Sequence, residues 1–120
     1  MIGKVIYSLL NSSGIDSVPL THVKNYPVVT YSKISNNQGY THQGNDGIGR
    51  EIYQLSCWGE SFSEAETLRA SVKSALDAYT GTIEGVNLRA VFNMNESDLY
   101  EDETGIYQCI VDLEFIFEEE

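Results

Sequence analysis

The amino-acid sequence predicts a single α+β domain, and three patterns carry that prediction. One is a β-type segment that runs directly into an amphipathic helix, within residues 50–79. The others are an apolar N-terminal segment with helical spacing and two alternating segments near the C-terminus. We therefore expect a four-stranded, mostly antiparallel sheet with an N-terminal helix and a central amphipathic helix packed on one face. Residues 1–120 fit one core of ordinary size, so we expect one domain.

The N-terminal helix is predicted over residues 1–10, because five apolar side chains share one helical face: Ile2, Val5, Ile6, Leu9 and Leu10. Asn, Ser and Gly in residues 11–14 end it. A first strand is predicted from Tyr26 to about Ser35. Pro27 suits the start of this strand, where its missing N–H removes no hydrogen bond of the sheet. The polar, glycine-rich segment 36–48 is predicted to be a long loop. It is not predicted to bind phosphate, because a strand follows it and a phosphate-binding loop requires a helix there.

The central strand is predicted over residues 50–58, and both of its faces carry apolar groups. Tyr53, Leu55 and Cys57 point one way, and Ile52 and Trp58 point the other. A strand covered on both sides at least in part belongs in the middle of a sheet. We therefore expect strand neighbours on each side of it.

The central helix is predicted over residues 63–79, with Ser63 and Glu66 as a capping box at its start. Its apolar stripe is spaced by three and four residues: Ala65, Leu68, Val72, Ala75, Leu76 and Tyr79. Arg69, Lys73 and Asp77 are expected to line the polar side. This stripe is typical of a core-facing helix and gives no indication of a cofactor.

Two strands near the C-terminus are predicted to form an antiparallel hairpin. In residues 86–95 the apolar side chains Val86, Leu88, Ala90, Phe92 and Met94 alternate with mostly polar ones, and residues 106–117 form the longest strand. The acidic segment 95–105 between them is expected to be a solvated loop. Its carboxylates lack the order and central Gly of an EF-hand, so no calcium site is predicted.

Charge and residue content exclude several function classes. The formal net charge is −11, which disfavours binding to phosphate backbones and to anionic membranes. Cys57 and Cys109 lack metal-ligand spacing and are expected to be buried free thiols. His22 and His42 lie in polar segments without a recognisable catalytic set around them. We therefore expect no metal, no cofactor and no enzymatic activity.

Four segments together resemble the tail terminator, or tail-completion, proteins of long-tailed bacteriophages and prophages. They are Pro27-Val28-Val29-x-Tyr31, the strand ending in Trp58, Ser61-Phe62-Ser63-Glu64-Ala65, and Thr104-Gly105-Ile106-Tyr107. The resemblance covers nearly the full length and consists of fold patterns rather than chemistry. The long segment 36–49 departs from it, since many members are shorter or more charged there.

The resemblance implies a structural role in the virion. Such proteins form hexameric rings on the head-proximal end of the tail tube, stop tube growth and offer a surface for head–tail joining. It further implies assembly in the host bacterial cytoplasm, partners in the tail tube and neck proteins, and DNA that passes through the ring without specific binding. An acidic lumen would repel DNA and let it slide, which the net charge suggests.

Candidate contact residues follow from the need of a cyclic ring for two different faces on each subunit. The second face of the strands offers Ile52, Trp58, Ile106 and Ile110, and two tyrosines beside the polar loops add Tyr40 and Tyr100. A head–tail connector or another minor tail component is the nearest alternative function. A monomeric acidic module that binds another protein is an alternative of a different class.

Overall fold

The structure is a computed structural model that describes residues 2–15, 17–19, 27–38, 48–77, 79–102 and 105–119. In these ranges two helices are present, α1 (Ile2–Ser12) and α2 (Phe62–Leu76). The strands are β1 (Ser17–Pro19), β2 (Val28–Gln38), β3 (Ile48–Gly59), β4 (Gly81–Ile83), β5 (Val86–Glu101) and β6 (Ile106–Glu119). The α+β class is therefore confirmed.

The strands form one sheet in the order β1-β2-β3-β6-β5-β4. β1 pairs with β2 in parallel, and the other four neighbouring pairs are antiparallel. The expected count of four strands was too low, because β1 and β4 extend the sheet at its two edges. Each of these has three residues, which is too short for an alternating pattern to stand out in a sequence.

The predicted central position of β3 is confirmed, since β3 pairs with β2 on one side and β6 on the other. Tyr53, Leu55 and Cys57 all enter the main core. Both helices supply the same core, which confirms that they pack on one face of the sheet. All five predicted apolar residues of α1 are buried there.

The start of α2 lies earlier than predicted. Ser61, not Ser63, is the N-cap: its Oγ accepts a hydrogen bond from Glu64 N at 3.1 Å. The Glu64 carboxylate accepts in turn from Glu60 N at 2.8 Å, so the reciprocal pair is shifted by two residues from Ser63 and Glu66. The close approach of β3 to α2 requires Gly59, where a Cβ would lie 2.8 Å from Ala65 N.

The rest of α2 follows the predicted pattern, with a shorter end. Ala65, Val72 and Leu76 are fully buried, and Leu68, Ala75 and Tyr79 pack partly against the core. The helix ends at Leu76 rather than Tyr79, because Asp77 is already extended at the C-cap. Arg69 was expected on the polar side but is buried.

The acidic segment 95–105 is mostly strand, so its prediction as a solvated loop was wrong. β5 continues to Glu101 and pairs with β6 up to Ile106. Gly105 N donates to Glu101 O at 2.8 Å, and Gly105 has φ +73°. The predicted alternation in β5 also changes along the strand. A register shift between Leu88 and Ala90 places Val91 in the core and leaves Phe92 half exposed.

Cys57 and Cys109 are free, buried and directly opposite each other on β3 and β6, as expected of buried thiols. Burial raises the pKa of Cys57 to about 12 and that of Cys109 to about 11. Neither thiol is therefore a ready nucleophile near neutral pH. No helix among the described residues is long and apolar enough to cross a membrane.

Candidate functional site on the hairpin arm and the helix-free face

Two surfaces of the sheet are available for contact with other molecules. The helix-free face is the side of the sheet opposite α1 and α2, and the strand alternation places Ile52, Trp58 and Ile110 on it. The hairpin arm is the part of the β5–β6 hairpin beyond β4, residues 90–101 and 106–116. The molecule is elongated, with extents of 48 × 25 × 23 Å.

The helix-free face has a small apolar layer of its own. Val28, Ile106 and Ile110 are buried, yet they lie outside the main core cluster. Polar side chains on this face pair with one another: Trp58 Nε1 donates to Thr30 Oγ1 at 2.9 Å, and Gln108 Nε2 donates to Ser56 Oγ at 2.8 Å. The first of these bonds holds the Trp58 ring against β2.

The predicted contact residues occupy different positions on these surfaces. Trp58, Ile106 and Tyr100 meet around a depression of about 320 Å³ that Leu99 and Gln108 also line. Ile52 lies six residues from Trp58 along β3, about 20 Å away, and is partly exposed. Ile106 and Ile110 retain 8% and 6% exposure, so a partner would meet mainly their neighbours. Tyr40 lies outside the described residues.

Exposed apolar side chains concentrate on the hairpin arm. Four large ones lie on β5 and are each about half exposed: Phe92, Met94, Leu99 and Tyr100. The Tyr100 ring packs against Tyr107 with centroids 4.5 Å apart and a tilt of 40°, and Phe62 meets Tyr107 edge-on at 6.0 Å. Sequence reasoning selected Tyr100 but missed Leu99, and it placed Phe92 and Met94 on the buried side. The two register shifts in β5 cause that error, since no sequence pattern marks a bulge reliably.

Arg69 holds the hairpin arm against α2. Its Nη1 donates to Asp98 Oδ1 at 2.7 Å, to Ser97 O at 3.1 Å and to Ile110 O at 3.3 Å. One guanidinium thus joins α2 to both strands of the arm. Burial disfavours the charged form of Arg69, but the hydrogen bond and the charge of Asp98 outweigh it and raise the pKa of Arg69.

Lys73 makes a second link one helical turn further along α2. Its Nζ lies 2.6 Å from Glu96 Oε2, which also accepts from Asn93 Nδ2 at 2.7 Å. The hydrogen bond from Lys73, then that from Asn93, lowers the pKa of Glu96. Four residues of helix and two residues of strand both advance about 6–7 Å. The distance from Arg69 to Lys73 along α2 therefore equals that from Asp98 to Glu96 along β5, and both ion pairs can form.

These contacts build interaction surfaces and no recognisable catalytic set. Among the described residues, no group of three or more His, Cys, Asp or Glu side chains is placed to hold a metal ion. The sequence matches the family described as tail completion protein gp17 over residues 6–118. The chain belongs to this tail completion protein family. The family is one of structural bacteriophage proteins, so this tail completion protein is a structural component of a phage tail.

A solved structure shares the fold of this tail completion protein. It is a chain of the virion of a native gene transfer agent particle, 10% identical in sequence with a TM-score of 0.64. The similarity covers 95% of this chain and 84% of that chain. At this identity the likeness concerns the fold alone. No curated protein matches the chain by sequence.

Replacement of Arg69 by Met tests whether it anchors the arm of this tail completion protein. We expect Arg69→Met to lower the free energy of unfolding by about 2–3 kcal/mol, because buried carbonyls lose their donor. The matched change Lys73→Met removes an exposed pair and should cost about 0.5 kcal/mol. Chemical denaturation measures both, and hydrogen exchange should rise in residues 95–100 only for Arg69→Met. Equal effects of the two changes would contradict this role of Arg69.

Acid should weaken the Lys73–Glu96 link. The folded-state pKa of Glu96 lies below its ordinary value of 4.5, so the link stabilises the fold above that pH. The stabilisation is lost as pH falls through the folded-state pKa. We expect Glu96→Gln to cost a few tenths of a kcal/mol at pH 7, with the stability curves of variant and wild type converging as pH falls through the lowered folded-state pKa of Glu96. The exposed control Glu60→Gln should show no such convergence in denaturation measured against pH.

Proposed function

We propose that this protein forms a homo-hexameric ring that caps the head-proximal end of the phage tail tube. The ring stops tube polymerisation and presents a surface for head–tail joining. The match to the tail completion family over residues 6–118 is the observation that carries this proposal. The fold adds support, because one subunit displays exposed apolar side chains on the arm and partly exposed ones on the sheet face, which are available for contact with other subunits.

The arm and the face suit a ring because they differ from each other. A head-to-tail ring needs two unlike surfaces on each copy. Half-exposed Leu99 and Tyr100 on the arm provide an apolar surface that water covers in the monomer. Partly exposed Ile52 on the helix-free face provides another, about 20 Å along β3 from Trp58, which itself borders the depression with Leu99 and Tyr100. The aromatic residues are typical of protein interfaces.

The partners follow from this role: further copies of the chain, the tail tube protein and a neck or connector protein. The ring would be assembled in the host bacterial cytoplasm and remain in the virion at the head-proximal end of the tail. DNA would pass through the ring without specific binding. The net charge of −11 supports that passage, because an acidic lumen repels the phosphate backbone.

Tube polymerisation tests this function directly. Purified protein is added to the tail tube protein of the same genome during polymerisation, and tube lengths are measured by electron microscopy. We expect bounded lengths with a cap at one end. We expect the variant Leu99→Lys to lose capping, because it places a charge on the apolar arm without touching the main core. The control Thr67→Lys changes an exposed position on α2 and should still cap.

Two outcomes separate the alternatives. Tubes of unlimited length with wild-type protein bound at no end would contradict the terminator role. If tubes grow without limit and the wild-type protein binds only to finished, capped tails, the results would instead favour a head–tail connector.

A further inference from the structure

We propose that the free edge of β5, residues 90–100, pairs through its main chain with the free edge of β2, residues 32–38, in a neighbouring copy. The sheets of adjacent copies then join into one continuous sheet. This inference rests on the proposed ring and names the subunit contact within it. The argument for it comes from the two edges, their charges and their directions.

The β5 edge is open over most of its length. β4 pairs only with residues 86–88 of β5. Among the described residues, no strand pairs with the outer edge of residues 90–100. The longest regular part is residues 95–100, which follows the register shift between Asn93 and Asn95. An unpaired strand edge presents a row of N–H and C=O groups that accept another strand.

Part of the usual protection of an edge strand is missing from this one, and only the register shift between Asn93 and Asn95 interrupts it. Residues 90–100 contain no Pro, Lys or Arg, which proteins commonly place on open edges. Their two acidic side chains do not repel an arriving strand strongly, because Asp98 is paired with Arg69 and Glu96 with Lys73. Leu99 and Tyr100 are each about half exposed beside this edge, where a second strand would cover them.

The β2 edge is complementary to it. β1 pairs only with residues 29–31 of β2, so residues 32–38 have no outer strand neighbour within the described ranges. This segment contains no acidic residue and one basic residue, Lys33, which lies 3.5 Å from Glu51 and keeps 42% of its side chain exposed. Residues 90–100 contain two acidic residues and no basic one. Ile34 is 51% exposed here and adds an apolar contact. A β5–β5 contact would instead be two-fold and would close a dimer without repeating around a ring.

The strand directions fit this pairing. β2, β3, β6 and β5 alternate in direction along the sheet, so β2 and β5 run opposite to each other. A neighbouring copy of the same orientation therefore meets β5 with an antiparallel β2. Because the two edges are on opposite sides of the subunit, the contact repeats from copy to copy and closes into a ring when the rotation allows.

Cross-linking between two singly substituted proteins tests the contact. Ser97 and Ser32 both project to the helix-free face, so Ser97→Cys and Ser32→Cys place thiols on the same side of a joined sheet. A short bismaleimide reaches direct and diagonal cross-strand neighbours and so tolerates a small register difference. The native Cys57 and Cys109 are buried and should not react. The two variants carry tags of different size and are mixed under conditions where light scattering detects oligomers.

We expect a cross-linked species that contains one copy of each variant, and none from either variant alone. The doubly substituted chain should give a ladder of linked copies. The control pair, Thr67→Cys mixed with Ser74→Cys on the exposed side of α2, should give no linked species above background. Wild-type protein controls for any reaction of the native thiols.

Other results would overturn the proposal. Self-linking of Ser97→Cys alone would show a two-fold β5–β5 contact instead. Oligomers that form without the mixed cross-link would overturn the edge pairing and leave the ring standing. A monomer at every soluble concentration, with no cross-link, would also overturn the edge pairing. Capping of tail tubes is measured separately, so a mixed cross-link without capping would contradict only the proposed function.

Discussion

The buried guanidinium of Arg69 is the contact on which the displayed surfaces depend. The hairpin arm extends beyond β4, and its β5 strand lies at the edge of the sheet with mostly exposed side chains. An edge strand that is paired on one side only and buries few side chains opens locally more easily than the strands inside the sheet. Arg69 joins α2 to Asp98, to Ser97 O and to Ile110 O, so the arm is fixed to the core that α2 forms. A fixed arm presents its apolar side chains in one arrangement, which lowers the entropy cost of assembly.

The main core and the outer surfaces differ in how strongly the sequence determines them. Helical spacing in α1, the stripe of α2 and the alternation in β3 follow from burial on one side, so their patterns are simple. The predictions for these elements were confirmed apart from small shifts at the ends. The location of the N-cap was wrong because Ser61 and Ser63 both start a Ser-x-x-Glu pattern, and only the fold selects Ser61.

The arm was predicted poorly because its stability comes from tertiary contacts. Acidic residues in a segment without apolar alternation indicate a loop when they are considered alone. In the fold, the main chain of the segment pairs with β6, and Glu96 and Asp98 face Lys73 and Arg69 of α2. The matching spacing of Arg69 and Lys73 with Asp98 and Glu96 was present in the sequence. It becomes meaningful only once α2 and β5 are known to be close.

This structural tail protein has open sheet edges and an exposed apolar arm, and the closed ring of identical copies is the central proposal that they suggest. Native mass spectrometry of the purified protein over a range of concentrations tests that claim most directly. The account predicts that one species of six copies replaces the monomer as concentration rises. An open series of dimers, trimers and longer chains without a closed end point would contradict it, and so would a monomer throughout.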